Sequence, residues 1–190
     1  MKYQDATRRL AEHHERIAAL RAEMRKIQDE IEPQEVKDYR LSTPDGSVRL
    51  SELFGDKADL FVIHNMGASC PYCTLWADGF NGVYHHLANR AAFVVSSPDT
   101  PGAQKRLAES RGWRFPMVSH NGSSFAGDMG YRSEEGSWMP GISVFRRDGG
   151  RLVRVSDRGM EPGDPFCAVW HLFDLLPGGS GDWQPKFKYP

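Results

Sequence analysis

The chain has 190 residues, of which 39% are hydrophobic and 26% charged, and its formal net charge is −1 at pH 7. This balance provides no basic patch for nucleic acid or an anionic membrane, and no apolar run reaches the roughly 20 residues that span a bilayer. We therefore expect one globular domain with an appendage, in the cytoplasm, with no nucleic-acid or membrane partner. Three cysteines are too few for a disulfide framework and indicate a redox pair with one remaining thiol.

Residues 3–32 are predicted to form one long helix, because no Gly or Pro interrupts the chain before Pro33. The apolar residues follow the spacing of a coiled-coil seam: Leu10, Ile17, Leu20, Met24, Ile27 and Ile31. The other faces of this helix are heavily charged. Residues 1–33 are therefore interpreted as an N-terminal arm that either packs on its own domain or forms a homodimer.

The next elements are a hairpin and a buried strand. The hairpin is predicted over residues 35–50 with a turn at Pro44-Asp45-Gly46, and Ser51 is expected to cap a short helical turn that ends at Gly55. Residues 60–64 form an apolar run that is typical of a parallel strand covered on both faces.

A Cys-x-x-Cys motif, Cys70-Pro71-Tyr72-Cys73, follows this strand after a short loop and begins a predicted helix. The first amides of a helix lack partners and carry partial positive charge, so a thiolate there is stabilised and its pKa falls. Cys70 is therefore the predicted nucleophile and Pro71 suits the first helical turn. Cys73 is the predicted resolving thiol, which attacks a mixed disulfide on Cys70.

The helix after the motif is expected to be disturbed at Gly79 and Gly82. Residues 91–95 are a second apolar run, which predicts a strand–helix–strand crossover with parallel strands. A further helix is predicted over residues 101–111, between the cap Thr100 and the stop Gly112.

The last third of the chain alternates irregular and regular segments. Residues 120–139 are predicted to be an irregular insertion with a short helix, and residues 142–156 to be a second hairpin. Asp164 is expected to cap the last helix, with Pro165 at its first position. Residues 177–190 form a tail whose aromatic side chains are expected to dock on the domain or on a partner.

This order of elements resembles the thioredoxin fold over residues 34–176. The Cys-Pro-Tyr-Cys motif is similar to that of dithiol glutaredoxins, and the first hairpin looks like the start of peroxiredoxins. Taken whole, the chain resembles a bacterial family of uncharacterised thioredoxin-like proteins, with matching motifs at residues 70–82, 112–116, 140–145 and 175–177. The resemblance implies an α/β, three-layer thioredoxin-like fold, with a mixed central sheet flanked by helices and a long N-terminal helix added.

The resemblance also implies further site residues. Thioredoxin-like proteins place a cis-proline before the strand that faces the cysteine pair, and Met139-Pro140 occupies that place, with Phe115-Pro116 as the competing position. A cis bond would present the Met139 backbone to an extended disulfide substrate, so Met139 and Pro140 join Pro71 and Tyr72 as substrate-binding candidates.

His64 occupies the position of a functional carboxylate in thioredoxins, which carry it six residues before the first active-site cysteine. A histidine there could accept the proton of Cys73, and it could equally be a core residue bonded to a carbonyl. The predicted function is a cofactor-free thiol–disulfide oxidoreductase that acts on protein or small-molecule disulfides and thiols.

Three alternatives stay open at this point. A thiol peroxidase is disfavoured by Gly67, because peroxiredoxins carry a threonine three residues before their nucleophile. Zinc could be bound by the cysteine motif together with Cys167 and His171, or an iron–sulfur cluster could bridge two subunits. Finally, the dithiol could be inert and the protein an interaction module.

Overall fold

The computed structural model describes all residues from Met1 to Pro190, which form two units, Met1–Pro33 and Gln34–Pro190. In the first unit, helix α1 spans Tyr3–Asp29, and none of its residues is buried. The predicted long N-terminal helix is confirmed, although it ends before Glu32 because Pro33 disfavours helical backbone in the residue that precedes it. None of the helices combines the length and the hydropathy of a membrane-spanning segment.

The second unit is organised around one sheet of eight strands. The strands are β1 (Gln34–Glu35), β2 (Arg40–Thr43), β3 (Gly46–Arg49), β4 (Asp59–His64), β5 (Ala92–Ser97), β6 (Met117–Ser119), β7 (Gly141–Asp148) and β8 (Arg151–Gly159). Their order in the sheet is β1-β8-β7-β4-β5-β6-β2-β3. The central strands β4, β5 and β6 run parallel, and all other neighbouring pairs are antiparallel, so the predicted mixed sheet is confirmed.

Four helices and one 3₁₀ turn complete this unit. They are the turn at Leu50–Phe54, then α2 (Pro71–Arg90), α3 (Pro101–Arg111), α4 (Phe125–Asp128) and α5 (Ala168–Phe173). Helix α2 connects the parallel strands β4 and β5, as the crossover prediction required. Helix α3 begins at its cap Thr100 and ends at Gly112, whose φ of 66° is left-handed, again as predicted.

Two apolar clusters cover the two faces of the sheet. Val62 belongs to the first cluster, which includes Phe125 of α4, whereas its neighbour Ile63 belongs to the second, which includes Trp76 of α2. Since successive residues of a strand point to opposite faces, β4 is buried on both sides. The result is the three-layer arrangement that the sequence predicted.

The first hairpin differs from the prediction. The first strand of the hairpin expected over residues 35–50 is broken: β1 pairs with β8 at one end of the sheet, and only β2 and β3 form the hairpin, at the other end. Ser51 does not cap the 3₁₀ turn, because its amide and hydroxyl both donate to the Asp38 carboxylate; Arg49 is the N-cap.

Two helix boundaries also differ from prediction. Helix α2 runs without a break through Gly79 and Gly82, because both glycines lie on its exposed side while the buried side is held by packing. Helix α5 begins at Ala168 after its cap Cys167, and Asp164 instead binds the amides of Glu161 and Phe166 in the preceding turn.

Asp59 joins three elements at the start of β4, and its carboxylate is largely buried. It accepts hydrogen bonds from Arg146 on β7 at 2.7 Å and from Arg90 at the end of α2 at 3.1 Å. The Arg146 hydrogen bond is the main cause that lowers the pKa of Asp59. A carboxyl with a lowered folded-state pKa stabilises the fold above its unfolded pKa of about 3.9 and loses that effect as the pH falls through its folded pKa.

We expect Asp59→Asn to lower the free energy of unfolding by about 1–2 kcal/mol at pH 7. This value allows for solvent screening of the two ion pairs, because Arg90 and Arg146 are largely exposed. The difference from the wild type should shrink as the pH falls below about 4. Urea unfolding at pH 7 and pH 3 measures both values. Asp56→Asn is the matched control, because Asp56 is exposed; an equal loss in the two variants would contradict this account of Asp59.

Candidate active site

The two cysteines of the motif lie at the N-terminus of α2 and are both reduced. Cys70 is the N-cap residue, and its sulfur accepts a hydrogen bond from the amide of Cys73 at 3.1 Å. Pro71 occupies the first turn of the helix, where no amide is needed. Cys70 is 9% exposed and Cys73 only 2%, so Cys70 is the more accessible of the two cysteines.

This geometry separates the acidities of the two thiols. A hydrogen bond from the Cys73 thiol and the backbone amides of Cys73 and Tyr72 together lower the pKa of Cys70 to about 6, against the opposing effect of burial. The same thiol hydrogen bond, followed by burial, raises the pKa of Cys73. At pH 7 the pair therefore consists of a Cys70 thiolate and a protonated Cys73.

The loop between β4 and α2 is fixed by two polar side chains that the sequence analysis did not identify. The Asn65 side chain accepts a hydrogen bond from the amide of Gly67 at 2.8 Å, and the Asp99 carboxylate accepts one from the amide of Ala68 at 2.9 Å. The amide of Met66 then points at the Cys73 sulfur, 3.4 Å away. Asn65 and Asp99 each follow a parallel strand, a placement that could have drawn attention to them.

Gly67 is required in this loop for two reasons. Its φ is +105°, a conformation that other residues rarely adopt. A Cβ atom there would also lie 3.1 Å from both carboxylate oxygens of Asp99. The residue three positions before Cys70 is thus fixed as glycine by the shape of the loop.

An aromatic cluster connects the cysteine motif to the C-terminal tail. The ring of Tyr72 stacks on Trp170 of α5 at a centroid distance of 6.2 Å, and Trp170 contacts Trp183 edge to face at 5.5 Å. Cys167, at the start of α5, is buried in the same cluster, and burial raises the pKa of its thiol. His171 is exposed.

His64 lies at the end of β4 and is fully buried. Its Nε2 is 2.9 Å from the hydroxyl of Ser143, and its ring stacks on Tyr131 at 3.9 Å. Tyr131 belongs to the cluster opposite α2, so the His64 ring is on the far face of the sheet and has no hydrogen bond to either motif cysteine. Its part in proton transfer stays a prediction.

A second buried histidine, His120, was missed by the sequence analysis. It follows β6, and its Nδ1 is 2.9 Å from the hydroxyl of Ser96, the residue that pairs with His64 across β4 and β5. Burial lowers the pKa of His120 to about 4, and burial also lowers the pKa of His64 well below its usual range. Both rings are therefore neutral at pH 7.

The predicted cis-proline is wrong, since every peptide bond of the protein is trans, including those at Pro140 and Pro116. The trans form is the ordinary preference of an X-Pro bond, and the surrounding loop supports it. The amide of Met139 donates to the carbonyl of Tyr131 at 3.0 Å, and the carbonyl of Pro140 accepts from Met160. The Met139 amide is therefore engaged within its own loop.

The zinc site considered from sequence spacing does not form. No three His, Cys, Asp or Glu side chains come together in an arrangement that could bind a metal ion. Cys167 is a core residue near Tyr72 and Trp170, as noted above, and His171 faces outward from α5.

The family model described as "Bacterial protein of unknown function (DUF899)" matches residues 2–189 of this chain. No curated protein has a significantly similar sequence.

Several solved structures have a similar fold. The peroxidoxin BcpB from Mycobacterium tuberculosis is 27% identical, with a TM-score of 0.55 over 67% of this chain and 84% of that chain. PrxQ from Xylella fastidiosa is 13% identical, with a TM-score of 0.58 over 67% and 84% of the two chains. Reduced Prx3 from Vibrio vulnificus is 17% identical, with a TM-score of 0.56 over 70% and 89%. These likenesses confirm the thioredoxin-like fold.

We expect Cys73→Ala to raise the pKa of Cys70 from about 6 toward the free-thiol value of about 8.5, because the main donor to the Cys70 sulfur is removed. Cys73→Ser keeps a hydroxyl donor and should shift the pKa less. The pKa is read from the pH dependence of iodoacetamide alkylation at Cys70, mapped by mass spectrometry. Cys167→Ser is the control. If the midpoint of the alkylation titration were unchanged in Cys73→Ala, the hydrogen bond from the Cys73 thiol would not determine the pKa of Cys70.

We expect Gly67→Ala to lower the free energy of unfolding by about 1–3 kcal/mol, because it adds a side chain at positive φ against Asp99. Gly79→Ala is the matched control: this exposed glycine lies inside α2 with no atom near its Cβ position, so alanine should stabilise the protein by about 0.5–1 kcal/mol. Thermal and urea unfolding measure both. If Gly67→Ala left the free energy of unfolding unchanged, the loop would adjust to the added side chain without loss of stability, and this account of Gly67 would be wrong.

Proposed function

The chain belongs to the DUF899 family of bacterial proteins, and from the geometry of the site we propose that it is a thiol–disulfide oxidoreductase. Cys70 is the nucleophile and Cys73 is the resolving thiol. The substrates are disulfides of proteins or small molecules, and no cofactor is needed. The observation that carries this proposal is the Cys70 sulfur at the N-terminus of α2, where it accepts the hydrogen bond of the Cys73 amide.

The difference between the pKa values of Cys70 and Cys73 supports separate roles for the two cysteines. The thiolate is the reactive form of cysteine, and a pKa of about 6 makes Cys70 mostly thiolate at neutral pH. The raised pKa of Cys73 keeps that thiol protonated until the first step has occurred. Cys70 is also the more exposed of the two cysteines, which suits the residue that meets substrate.

The reaction proceeds in two displacements. The Cys70 thiolate attacks one sulfur of the substrate disulfide, forms a mixed disulfide and expels the other substrate sulfur as a thiolate. Formation of the mixed disulfide removes the negative charge beside Cys73. Cys73 then attacks the Cys70 sulfur, and the second substrate sulfur leaves with the electron pair of the broken bond. The substrate is reduced by two electrons and the protein is left with a Cys70–Cys73 disulfide.

The proton of Cys73 passes to the departing substrate thiolate in this scheme. The backbone amide of Met66 is the donor nearest to the Cys73 sulfur, at 3.4 Å, and it can stabilise developing negative charge on that sulfur. The His64 ring contacts the Ser143 hydroxyl on the far face of the sheet, so this scheme runs without it, and a part for His64 in proton transfer stays a separate prediction.

Substrate contacts are assigned to Pro71 and Tyr72, which follow Cys70 in the chain and are both partly exposed. Met139 and Pro140 are proposed as further contacts. Met139 is 40% exposed, and its amide donates to Tyr131. A cytoplasmic location would suit the reaction, because thiols are kept reduced there.

A thiol peroxidase is the second candidate, and the fold likeness to peroxidoxin BcpB supports it. The Cys70 thiolate would attack a peroxide, form a sulfenic acid and release an alcohol or water. Cys73 would then condense with the sulfenic acid to give the disulfide and water. Both candidates use the same two sulfurs and differ in the substrate of the first step.

We expect the reduced protein to be oxidised rapidly by hydroxyethyl disulfide, with formation of the Cys70–Cys73 disulfide and release of two thiols per protein. Cys73→Ser should accumulate the mixed disulfide on Cys70, because the second displacement cannot occur. Cys70→Ser should lose at least a hundred-fold in rate, since the remaining motif thiol, Cys73, is only 2% exposed and its burial still disfavours the thiolate. Stopped-flow fluorescence and intact-mass spectrometry follow these steps.

Cys167→Ser is the control and should behave as the wild type, because Cys167 is a buried thiol outside the motif. Parallel reactions with hydrogen peroxide separate the two candidates. A wild-type protein that reacts faster with peroxide than with the disulfide is a thiol peroxidase. A protein inert to both reagents has a non-catalytic dithiol, and the proposal fails.

A further inference from the structure

We propose that α1 forms an antiparallel, two-stranded coiled coil with α1 of a second copy of this chain. This proposal is independent of the redox chemistry, because none of its residues belongs to the cysteine site. It begins from the exposure of α1. The helix spans 27 residues, about 40 Å, and buries none of them. Such a long helix ordinarily depends on packing of an apolar face for its stability.

The apolar face is a continuous heptad seam. The core positions of the heptads, conventionally named a and d, are Tyr3, Ala6, Leu10, His13, Ile17, Leu20, Met24, Ile27 and Ile31. From Leu10 to Ile31 the apolar members of this seam are between 45% and 65% exposed. A narrow seam of this period matches a partner helix with the same period, and a second copy of the chain supplies one.

The charges beside the seam determine the direction of the partner. The flanking positions, conventionally named g, carry Arg9, Arg16 and Glu23 within α1 and Lys2 and Glu30 as its two cap residues, so they are basic toward the start of the helix and acidic toward its end. In an antiparallel pair with Ile17 opposite Leu20 of the second copy, g positions face g positions. Arg16 then meets Glu23 of the second copy, and Arg9 meets Glu30 of the second copy. Twofold symmetry produces each attraction twice.

A parallel pair is disfavoured by the same residues. In that arrangement a g position meets the e position five residues later on the partner, so Arg16 would face Arg21 of the second copy. His13 would also lie against His13 of the second copy in the seam. The antiparallel pair places His13 opposite Met24 instead and leaves no like-charged g contacts. Charge and seam composition therefore both point to the antiparallel dimer.

Arg16→Glu tests the direction as well as the existence of the dimer. In the antiparallel dimer it replaces two attractions by two repulsions, so the dissociation constant should rise about ten-fold at low salt and less at high salt. In a parallel dimer it would face Arg21 and tighten association. Arg8→Glu is the matched control, because Arg8 is exposed and lies away from the seam; it should leave the dissociation constant unchanged. Sedimentation equilibrium of the full chain over a range of concentrations measures these constants.

A mixing experiment provides a second test. Arg9→Glu/Arg16→Glu makes the g positions entirely acidic from residue 9 onward, and Glu23→Arg/Glu30→Arg makes them entirely basic. Each double variant should be mainly monomeric alone, and an equimolar mixture should form heterodimers. A monomeric wild type at 100 μM, a tighter Arg16→Glu dimer, or a dimer that survives Ile17→Ser/Leu20→Ser would each overturn the proposal. Circular dichroism confirms that the variants retain the folded second unit.

Discussion

The hydrogen bond from the Cys73 amide to the Cys70 sulfur is the interaction on which the site depends. It makes Cys70 the cap of α2, and it assists the Cys73 thiol, the main donor, in lowering the pKa of Cys70. The elements around the motif hold this contact in place. Strand β4 is paired on both edges, with β5 and β7, and Gly67 and Asp99 fix the loop that carries the chain from β4 to the cap. The sheet thus provides a rigid support for the hydrogen bond between the Cys73 amide and the Cys70 sulfur.

The sequence predicts those parts of the fold that are determined locally. The spacing of the cysteines and the apolar run before them were sufficient for the Cys70 helix and for β4, and Thr100 and Gly112 were sufficient for the ends of α3. The predictions were wrong where residues distant in the sequence determine the local structure. The short strand β1 pairs with β8, more than a hundred residues later, and the Asp164 carboxylate accepts a hydrogen bond from the indole of Trp76, which lies 88 residues earlier in the chain. No local pattern could contain those partners.

The candidate site was predictable in the position of its cysteines but not in its surroundings. The motif predicted Cys70 at the start of a helix, and Cys70 is the N-cap residue of α2. Asn65 and Asp99 are ordinary polar residues in the sequence and become site residues only because the ends of parallel strands meet at one edge of the sheet. Met139 shows the reverse case: a family position suggested a cis bond, but the local loop occupies its amide with Tyr131 in the trans form. Position in a motif therefore did not determine backbone geometry.

The acidity of Cys70 has a consequence for the electrochemistry of the pair. Whatever stabilises the Cys70 thiolate stabilises the reduced protein, and it has no counterpart once the sulfur is in a disulfide. The helix end and the Cys73 donor therefore raise the reduction potential of the pair above that of an unperturbed dithiol. For a pair that cycles as proposed, the same bonds favour the reduced state of the folded protein. The capping of α2 and the redox balance of the pair are then linked through one sulfur atom at the start of that helix.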